Sequence, residues 1–340
     1  MLRRRGTTAA GGRGFKQSAV GVLSPSQTGR RTKSEAAGYI SPWGSGVLPL
    51  PLMGRNTRGT NMVTAIEKFL SGKQLEGKPV RVADTRLRYS PANSKLAKMY
   101  DDPEIMEFLG NRKIYSLDLL SGHTCPFAKD CHSKVVKHRD GSKSIKDGKH
   151  TQFRCYSASL ELARDNVYQL RKRNTDAITS CKGVDDEVAA EIAFNLMNNS
   201  LPSDAGIVRA HTGGGMKWRW YFMAWMKLAR ANPDMLFYAY LKALPYWVEF
   251  INEIPRNFVL TASRGGTADH LIDEYGLREA QVVFDEDKAA ELGLEIDHDD
   301  SHACKPWRRE QSFALLIHGV QPAGSDASKA LSKLRKRGAK

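Results

Sequence analysis

The stretch GIVRAHTGGGMKWRWYFMAWMKLARANPDMLFYAY, residues 206–240, decides the fold class. It begins with an apolar run at 206–212 and ends with a second apolar run at 236–240, and between them the apolar residues of 217–231 recur at helical spacing. Parallel strands need a crossover connection, which is usually a helix of this length. The stretch therefore predicts a strand, a helix and a second, parallel strand.

The same alternation continues along much of the chain. Further strand candidates lie at 113–120, 257–263, 281–284 and 313–319, and helical patterns separate most of them. Short apolar strands alternating with amphipathic helices indicate an α/β fold with a parallel sheet. With about six strands in the count, we expect a partial parallel β/α barrel of TIM-barrel-like plan rather than a closed eight-fold barrel. In such barrels the chemistry collects at the C-terminal ends of the strands.

The formal net charge of +15 is concentrated at the two ends of the chain. Residues 1–61 contain ten Lys and Arg against one acid, and residues 325–340 contain six against one, so residues 62–324 are nearly neutral. We expect 62–324 to form a single α/β domain and 325–340 to form a basic C-terminal tail. The Gly-, Ser- and Arg-rich composition of 1–61 predicts a disordered basic leader. We favour an upstream-extended reading frame, with the start near Met53 or Met62, over an organelle transit peptide.

The charge distribution limits the partners that we expect. Basic ends add sequence-independent affinity for phosphates, so we predict weak, non-specific nucleic-acid binding through the tails rather than a DNA-reading surface. No run of eighteen apolar residues exists, so we predict no membrane span. The N-terminus also lacks the apolar segment of a secretory signal.

A cysteine-rich loop follows the first predicted strand. The segment SGHTCPFAKDCHSKVV, residues 121–136, contains Cys125 and Cys131, and Cys155 follows just before a helical pattern. The spacing matches neither zinc fingers nor ferredoxins, and it lacks the C-x-x-C of thioredoxin-like proteins. We predict that the three cysteines share a metal ion or an iron–sulfur cluster with one coordination position left open. The alternative is that they are small residues that fill a core.

Two other cysteines remain. The segment IDHDDSHACKP, residues 296–306, offers His298, His302 and Cys304, any of which would complete a four-ligand set. We include Cys304 among the candidate metal ligands. Cys181 lies in a helical pattern and is predicted to be structural.

Polar residues follow the predicted strands, at the edge where ligands bind α/β sheets. The catalytic candidates are Arg209, His211 and Lys242, and the ligand-binding candidates are Ser263, Arg264, Asp285 and His318. They predict a pocket for an anionic or nucleotide-like small molecule, in which histidine would transfer protons. Structural interpretations stay open: an ion pair for Arg209, a core histidine for His318, and a simple turn, which we favour over a phosphate loop, for HTGGG (211–215).

Several segments of the chain resemble the bacteriophage "gene product 88" family. The most specific are SGHTCPFAKDC and FALLIHGVQPAGS, and TQFRCYSASLE, VRAHTGGG and NFVLTASRGG add to a likeness that runs from about 88 to 325. The resemblance implies a phage or prophage origin, and with it the cytoplasm of a bacterial host. It also implies kinship in plan with radical S-adenosylmethionine enzymes, which use partial barrels with a cluster loop after the first strand.

The sequence departs from those patterns in two places. Radical enzymes of that class usually show C-x3-C-x2-C, which is not the spacing of Cys125, Cys131 and Cys155. Gly215 stands where the family pattern has an acid.

Two hypotheses about the function follow from the sequence. The first is a metal- or iron–sulfur-binding phage enzyme, radical-SAM-like, with S-adenosylmethionine as a candidate co-substrate. The second is a zinc-stabilised, non-enzymatic phage protein that binds nucleic acid or a protein through its basic ends.

Overall fold

The computed structural model describes residues 86–338. The predicted leader and both candidate start methionines lie outside this range, so those predictions stand as expectations.

Strands and helices alternate through most of the described chain. The strands are β1 Ser90–Pro91, β2 Lys113–Leu117, β3 Ser133–Lys137, β4 Lys143–Asp147, β5 Ala205–Ala210, β6 Leu236–Leu241, β7 Phe258–Ser263, β8 Glu279–Val283, β9 Glu295–Ile296 and β10 Phe313–Leu316. The α-helices are α1 Pro103–Leu109, α2 Tyr156–Ala163, α3 Asp165–Ser180, α4 Asp186–Asn199, α5 Arg219–Ala231, α6 Leu244–Glu249, α7 His270–Tyr275, α8 Glu286–Glu291, α9 Ser301–Cys304 and α10 Asp326–Gly338. Two short 3₁₀ helices span Leu96–Asp101 and Pro306–Arg308.

Eight of the strands form one sheet in the order β1–β2–β5–β6–β7–β8–β10–β9. Only β1 runs antiparallel to its neighbour, and the other pairs are parallel. All six predicted strands are present and lie side by side in chain order, which confirms the parallel α/β prediction. The sheet is open, however, with β1 and β9 as its edges, so it is not a closed barrel and a TIM-barrel-like form is not established.

The centre of the sheet explains why these segments became strands. β5, β6 and β7 are almost entirely buried, as parallel strands are when helices cover them. Nine residues of the helix α5 are buried. Its Trp225 is fully buried, with its ring centroid 6.3 Å from those of Phe237 and Phe258. The continuous apolar runs in the sequence thus mark strands that are covered by helices.

A separate two-stranded sheet, the β3–β4 hairpin, stands outside the main sheet. Val135 and Ile145 face each other across it and pack with Leu120 and Tyr168. The hairpin occupies most of the chain between Cys131 and Cys155, and sequence analysis did not predict it.

The chain after Cys155 also differs in detail from the helical pattern that its sequence shows. The helical pattern after Cys155 is divided into α2 and α3 by Arg164, whose backbone is extended. Residues 326–338 of the basic C-terminal segment are helical. Within residues 86–338, no helix is long and apolar enough to cross a membrane.

The packing of α5 predicts the cost of a large-to-small change. Trp225→Ala should lower the free energy of unfolding by about 3–5 kcal/mol, because it removes a fully buried ring and leaves a cavity. Val184→Ala is the control, since Val184 is 82% exposed and its loss should change stability by less than about 0.5 kcal/mol. Urea denaturation of both variants measures the difference, and similar midpoints for the two would contradict this packing.

Candidate functional site

A cavity of about 160 Å³ lies at the C-terminal ends of β5, β6 and β7. Its wall combines the cysteine loop, the glycine-rich turn after β5 and the ends of two further strands. Seven of the sequence-predicted site residues line it: Cys125, Cys131, Cys155, Arg209, His211, Lys242 and Ser263. Four do not: Arg264, Asp285, Cys304 and His318.

The cysteine loop is held across the sheet by the turn that follows β7. The backbone N–H groups of Lys129 and Asp130 donate to the Gly265 carbonyl at 3.1 and 2.9 Å, and the N–H of Thr267 donates to the Phe127 carbonyl at 2.9 Å. Gly265 has a φ of +97°, and a Cβ there would lie 2.9 Å from the Asp130 carboxylate. A glycine is therefore required where the two segments meet.

The glycine-rich turn after β5 is shaped for close packing. A Cβ at Gly213 would lie 2.5 Å from the guanidinium carbon of Arg171. The amides of Gly213 and Gly215 donate to Asp118 and to the Thr124 hydroxyl, at 3.3 and 3.1 Å. Because these amides are used within the protein, the turn interpretation accounts for the HTGGG motif better than a phosphate loop does.

The three cavity cysteines are half-buried and influence one another electrostatically. Burial, with a contribution from Cys155, raises the pKa of Cys125 to about 12. Burial and the neighbouring Cys131 raise the pKa of Cys155 to about 11, although backbone N–H groups at the start of α2 oppose the rise. Thiolates so close together need a nearby positive charge to form.

The structure does not assemble a finished metal site. Within residues 86–338, no group of three or more His, Cys, Asp or Glu side chains is placed so that it could hold a metal ion. The chemistry of the cavity nevertheless fits a thiolate-bound group, because three thiols line one wall and the lining contains no carboxylate. Zinc and iron–sulfur clusters are the groups that such soft ligands select.

Cys181, Cys304 and His302 lie outside the cavity lining. Cys181 is buried at the end of α3, and Cys304 is fully buried in α9. The ring of His302 lies 3.0 Å from the Glu295 carboxylate and 3.4 Å from that of Asp297. None of these residues lines the cavity, so the structure does not bring Cys304 to the three-cysteine group.

Arg209 joins the cavity wall to a buried carboxylate. Its guanidinium pairs with Asp300, which is fully buried, and lies 4.9 Å above the ring of Tyr240. Asp300 also pairs with Lys95 at 2.6 Å and accepts a hydrogen bond from Tyr238 at 3.1 Å. Burial alone would raise the pKa of Asp300, but the two cations hold it below its usual range. Arg209 thus forms a structural ion pair and still lines the cavity.

His211 is buried in a strained backbone conformation. Its φ of +70° lies in the left-handed region, where residues other than glycine are uncommon. Its Nε2 lies 3.1 Å from the Tyr221 hydroxyl. Burial lowers the pKa of His211 to about 4; Asp118 opposes this decrease, and the cations Arg209 and Arg171 add to it. The imidazole is therefore neutral at pH 7 and is a weaker base than a free histidine.

Lys242 uses its ammonium group to fix the end of β7. Nζ donates to the Ser263 carbonyl at 2.6 Å, to the Ser263 hydroxyl at 3.1 Å and to the Arg264 carbonyl at 2.7 Å. An ammonium group has three hydrogens to donate, so all of them are used. Lys242 positions the strand end beside the cavity.

The other predicted ligand-binding residues have structural partners away from the cavity. Arg264 pairs with Glu279 and, at 2.9 Å, with Asp273. Asp285 caps α8 by accepting from the Lys288 N–H at 2.8 Å. His318 contacts Tyr156, with ring centroids 4.6 Å apart and ring planes inclined by 60°.

Sequence analysis missed a buried charge network beneath the cavity. Arg171 donates to Glu161 at 2.9 Å and pairs with Asp118 at 3.5 Å, and all three side chains are buried. Asp118 Oδ1 also accepts from the Thr212 N–H at 2.5 Å, and Glu161 accepts from the Ser121 hydroxyl at 2.8 Å. Burial would raise the pKa of Asp118, but Arg171 and the Thr212 hydrogen bonds hold it below its usual value.

One signal for this network was present in the sequence. Asp118 interrupts an apolar run, and Arg171 lies three residues after Tyr168, on the same face of a helical pattern. A charge on an apolar face indicates a buried ion pair, but its partners in distant segments are not visible from the sequence.

The fold and cavity define an α/β protein with a thiol-lined pocket at the carboxyl edge of a parallel sheet. A sequence profile described as "Gene product 88" matches residues 86–337, and the chain belongs to this phage family. No curated protein and no solved structure matches the chain.

The buried network predicts a large effect of a single substitution. Arg171→Gln should lower the free energy of unfolding by about 3–5 kcal/mol, because it leaves buried carboxylates without their cation. Arg173→Gln is the control, since Arg173 is exposed on the same helix and should change stability by less than about 0.5 kcal/mol. Chemical denaturation at pH 7 tests both variants, and a loss below about 1 kcal/mol for Arg171→Gln would show that the network is not stabilising.

The neutral state of His211 predicts a pH dependence of stability. The pKa of His211 is about 4 in the folded protein, against about 6.5 for a free histidine, so the unfolded chain binds the proton more tightly. Its contribution to stability is complete above about pH 6.5 and is lost as the pH falls toward 4. At pH 5 the loss should reach about 2 kcal/mol.

The measurement compares unfolding free energies at pH 5 and pH 7 for the wild type and for His211→Gln. The variant cannot be protonated at this position, so its pH-dependent loss should be smaller than that of the wild type by about 2 kcal/mol. Equal losses in the two proteins would mean that His211 titrates normally.

Proposed function

We propose that this protein is an α/β enzyme whose cavity holds a metal ion or an iron–sulfur cluster and acts on an anionic or nucleotide-like ligand. The observation that carries the proposal is that Cys125 and Cys131 of one loop and Cys155, which follows the β3–β4 hairpin, line one cavity. That cavity lies at the carboxyl ends of parallel strands, where α/β enzymes bind their ligands.

The three thiols are the residues that would hold the metal or cluster. Three protein ligands leave one coordination position open, which is the arrangement of catalytic rather than structural metal sites. The positive charge of the bound group would favour the thiolate form that burial disfavours at Cys125 and Cys155. When bound, the group would supply Lewis-acid or electron-transfer chemistry.

The rest of the wall supports an anionic ligand. The lining contains no carboxylate, and it includes the cation Arg209 of β5. Asp300 holds Arg209 in place, so the guanidinium is oriented before a ligand arrives. The imidazole of His211 is part of the same lining and is the candidate for proton transfer, although burial makes it a weaker base than a free histidine.

The size of the cavity limits what enters it. At about 160 Å³ it is smaller than the roughly 300–1,000 Å³ of pockets that enclose a drug-sized ligand. We infer that only the reacting part of the ligand enters, while the remainder lies on the surrounding surface. A role for S-adenosylmethionine and the partial-barrel plan of radical enzymes rest on fold-level analogy, to which the consecutive order of the parallel strands lends support.

A second candidate function is a structural zinc site in a non-enzymatic binding protein, whose basic ends would hold nucleic acid or a protein partner. It is favoured by the placement of the cysteines on two separate segments. Cys125 and Cys131 lie in the loop between β2 and β3, and Cys155 occupies the N-cap position of α2. A metal ion shared by them would fasten the loop to the helix, which is the usual role of a closed four-ligand site.

Cysteine substitutions test whether a metal is bound. In protein purified without oxygen, Cys125→Ala, Cys131→Ala and Cys155→Ala should each reduce stoichiometric metal at least tenfold, because each removes a direct ligand. Metal analysis and the absorption spectrum are the measurements. Cys181→Ala is the matched control and should retain the metal, because Cys181 does not line the cavity. Full metal content in all three variants, or none in the wild type, would refute the proposal.

The same preparations separate the two candidate functions. A brown protein with iron and sulfide supports the cluster, and a colourless protein with one zinc supports the structural site. Cys304→Ala should retain the metal, because Cys304 is buried in α9 away from the cavity. Loss of metal in that variant would indicate a closed four-ligand site instead.

A further inference from the structure

The β3–β4 hairpin and the loops at its base carry a concentrated positive charge. Residues 129–154 contain eight Lys and Arg against three acids, and three histidines in addition. This local excess is hidden in the nearly neutral sum over residues 62–324. A two-stranded ribbon with such a charge is suited to contact with phosphates.

The register of the hairpin places like charges opposite each other. Lys134 pairs across the ladder with Lys146, on the face opposite to the buried Val135 and the half-buried Ile145. Like charges directly opposite each other in a sheet destabilise it. An anion between the two ammonium groups would remove this repulsion, which is an independent indication of an anionic partner.

Most of the hairpin cations are not neutralised by the protein itself. Lys143 pairs with Asp165 at 2.7 Å, and Arg154 pairs with Asp147 at 2.6 Å. Within the described part of the chain, four other cations of the two strands and their turn form no salt bridge: Lys134, Lys137, Arg139 and Lys146. Three of these four are exposed, and Lys134 is half-buried.

The base of the hairpin adjoins the cavity. Cys131 lies two residues before β3, and the N–H of Cys155 donates to the Ser133 hydroxyl at 3.2 Å. Gly122 lines the cavity, and a Cβ there would lie 2.7 Å from the Cβ of Lys134. A chain of phosphates on the outer face of the hairpin would therefore run toward the cavity.

An exposed aromatic pair lies beside Cys155. Tyr156 follows Cys155 directly, is 41% exposed and contacts His318, with ring centroids 4.6 Å apart and ring planes inclined by 60°. Exposed aromatic rings next to a positive surface are the stacking platforms of proteins that bind single-stranded nucleic acids. The bases of a duplex are already stacked on each other and do not offer a free face.

We infer that the hairpin and the Tyr156–His318 pair bind a single strand of nucleic acid beside the cavity. The unpaired cations of the hairpin and its turn contact its phosphates, and the Tyr156 ring stacks on a base. The inference deepens the proposed function by naming the ligand class, and it rests on that function only for the role of the cavity. Binding itself does not require the metal.

The test measures binding of a fluorescent twenty-nucleotide oligothymidylate to the full-length protein over a range of salt concentrations. The hairpin variant combines Lys134→Gln, Lys137→Gln, Arg139→Gln and Lys146→Gln. Its affinity at low salt should fall about tenfold or more, and the slope of log Kd against log salt should fall by about 0.7 for each phosphate that the variant no longer neutralises. Its melting temperature should not fall, because the substitutions remove a like-charge pair.

The matched control removes the same charge from other exposed sites. Lys98→Gln, Arg173→Gln, Lys182→Gln and Arg256→Gln together should leave affinity within about twofold of the wild type, because non-specific attraction to net charge is screened beyond a Debye length. Oligouridylate is tested beside oligothymidylate, since the two share phosphate and base chemistry. Binding of either strand that depends on the hairpin supports the inference.

A second pair of variants tests the stacking contact. Tyr156→Ala should weaken binding about tenfold, whereas Tyr156→Phe should retain it, because stacking needs the ring and not the hydroxyl. Cys125→Ala separates this inference from the proposed function, since it should lose metal and keep affinity for the strand.

Several outcomes would overturn the inference. Wild-type affinity in the hairpin variant is one, and binding that disappears only when residues 325–340 are removed is another, because it would assign the affinity to the basic tail. Equal affinity for duplex of the same length would exclude the single-strand assignment. Stronger binding to anionic lipid vesicles than to either strand would assign the surface to membranes.

Discussion

The structure depends on one buried cation, the guanidinium of Arg171. It binds Asp118 at the end of β2 and Glu161 in α2, and these two carboxylates in turn hold Thr212 after β5 and Ser121 in the cysteine loop. Charges out of contact with water are costly unless they are paired and hydrogen-bonded. The cysteine loop, the helices α2 and α3 and the glycine-rich turn must therefore assemble together, because each of them supplies part of the same network.

The cavity adjoins this network, and the network fixes the segments that form part of the cavity wall. Gly213 passes so close to Arg171 that only a hydrogen is tolerated there, and the next residues of the turn reach the loop that holds Cys125. The thiols thus lie on segments that are fastened from beneath by buried charge and from the side by Gly265. Loops held in this way suit a site that has to keep three ligands in position.

The apolar runs of the sequence were sufficient to predict the six parallel strands, because burial on both faces leaves a continuous apolar signal. The polar residues after the strands also led to the cavity, and the three cysteines predicted to act together do line it. Arg264 and Asp285 follow strands at the same edge but turn to nearby partners, an ion pair and a helix cap. The β3–β4 hairpin was not predicted because its strands SKVVK and KSIKD contain only three apolar residues, too few for an alternating pattern. Arg171 has partners in segments too distant for any local pattern to reveal.

The strained backbone at position 211 means that keeping a histidine side chain there costs the protein stability. A left-handed conformation is least costly for glycine, so this histidine occupies a position where another residue would fold more easily. Strain of this kind persists where the surrounding structure enforces it, and it is frequent at functional sites. A library of variants selected for folding alone would accumulate glycine at position 211, whereas selection for the activity of the cavity would keep the imidazole.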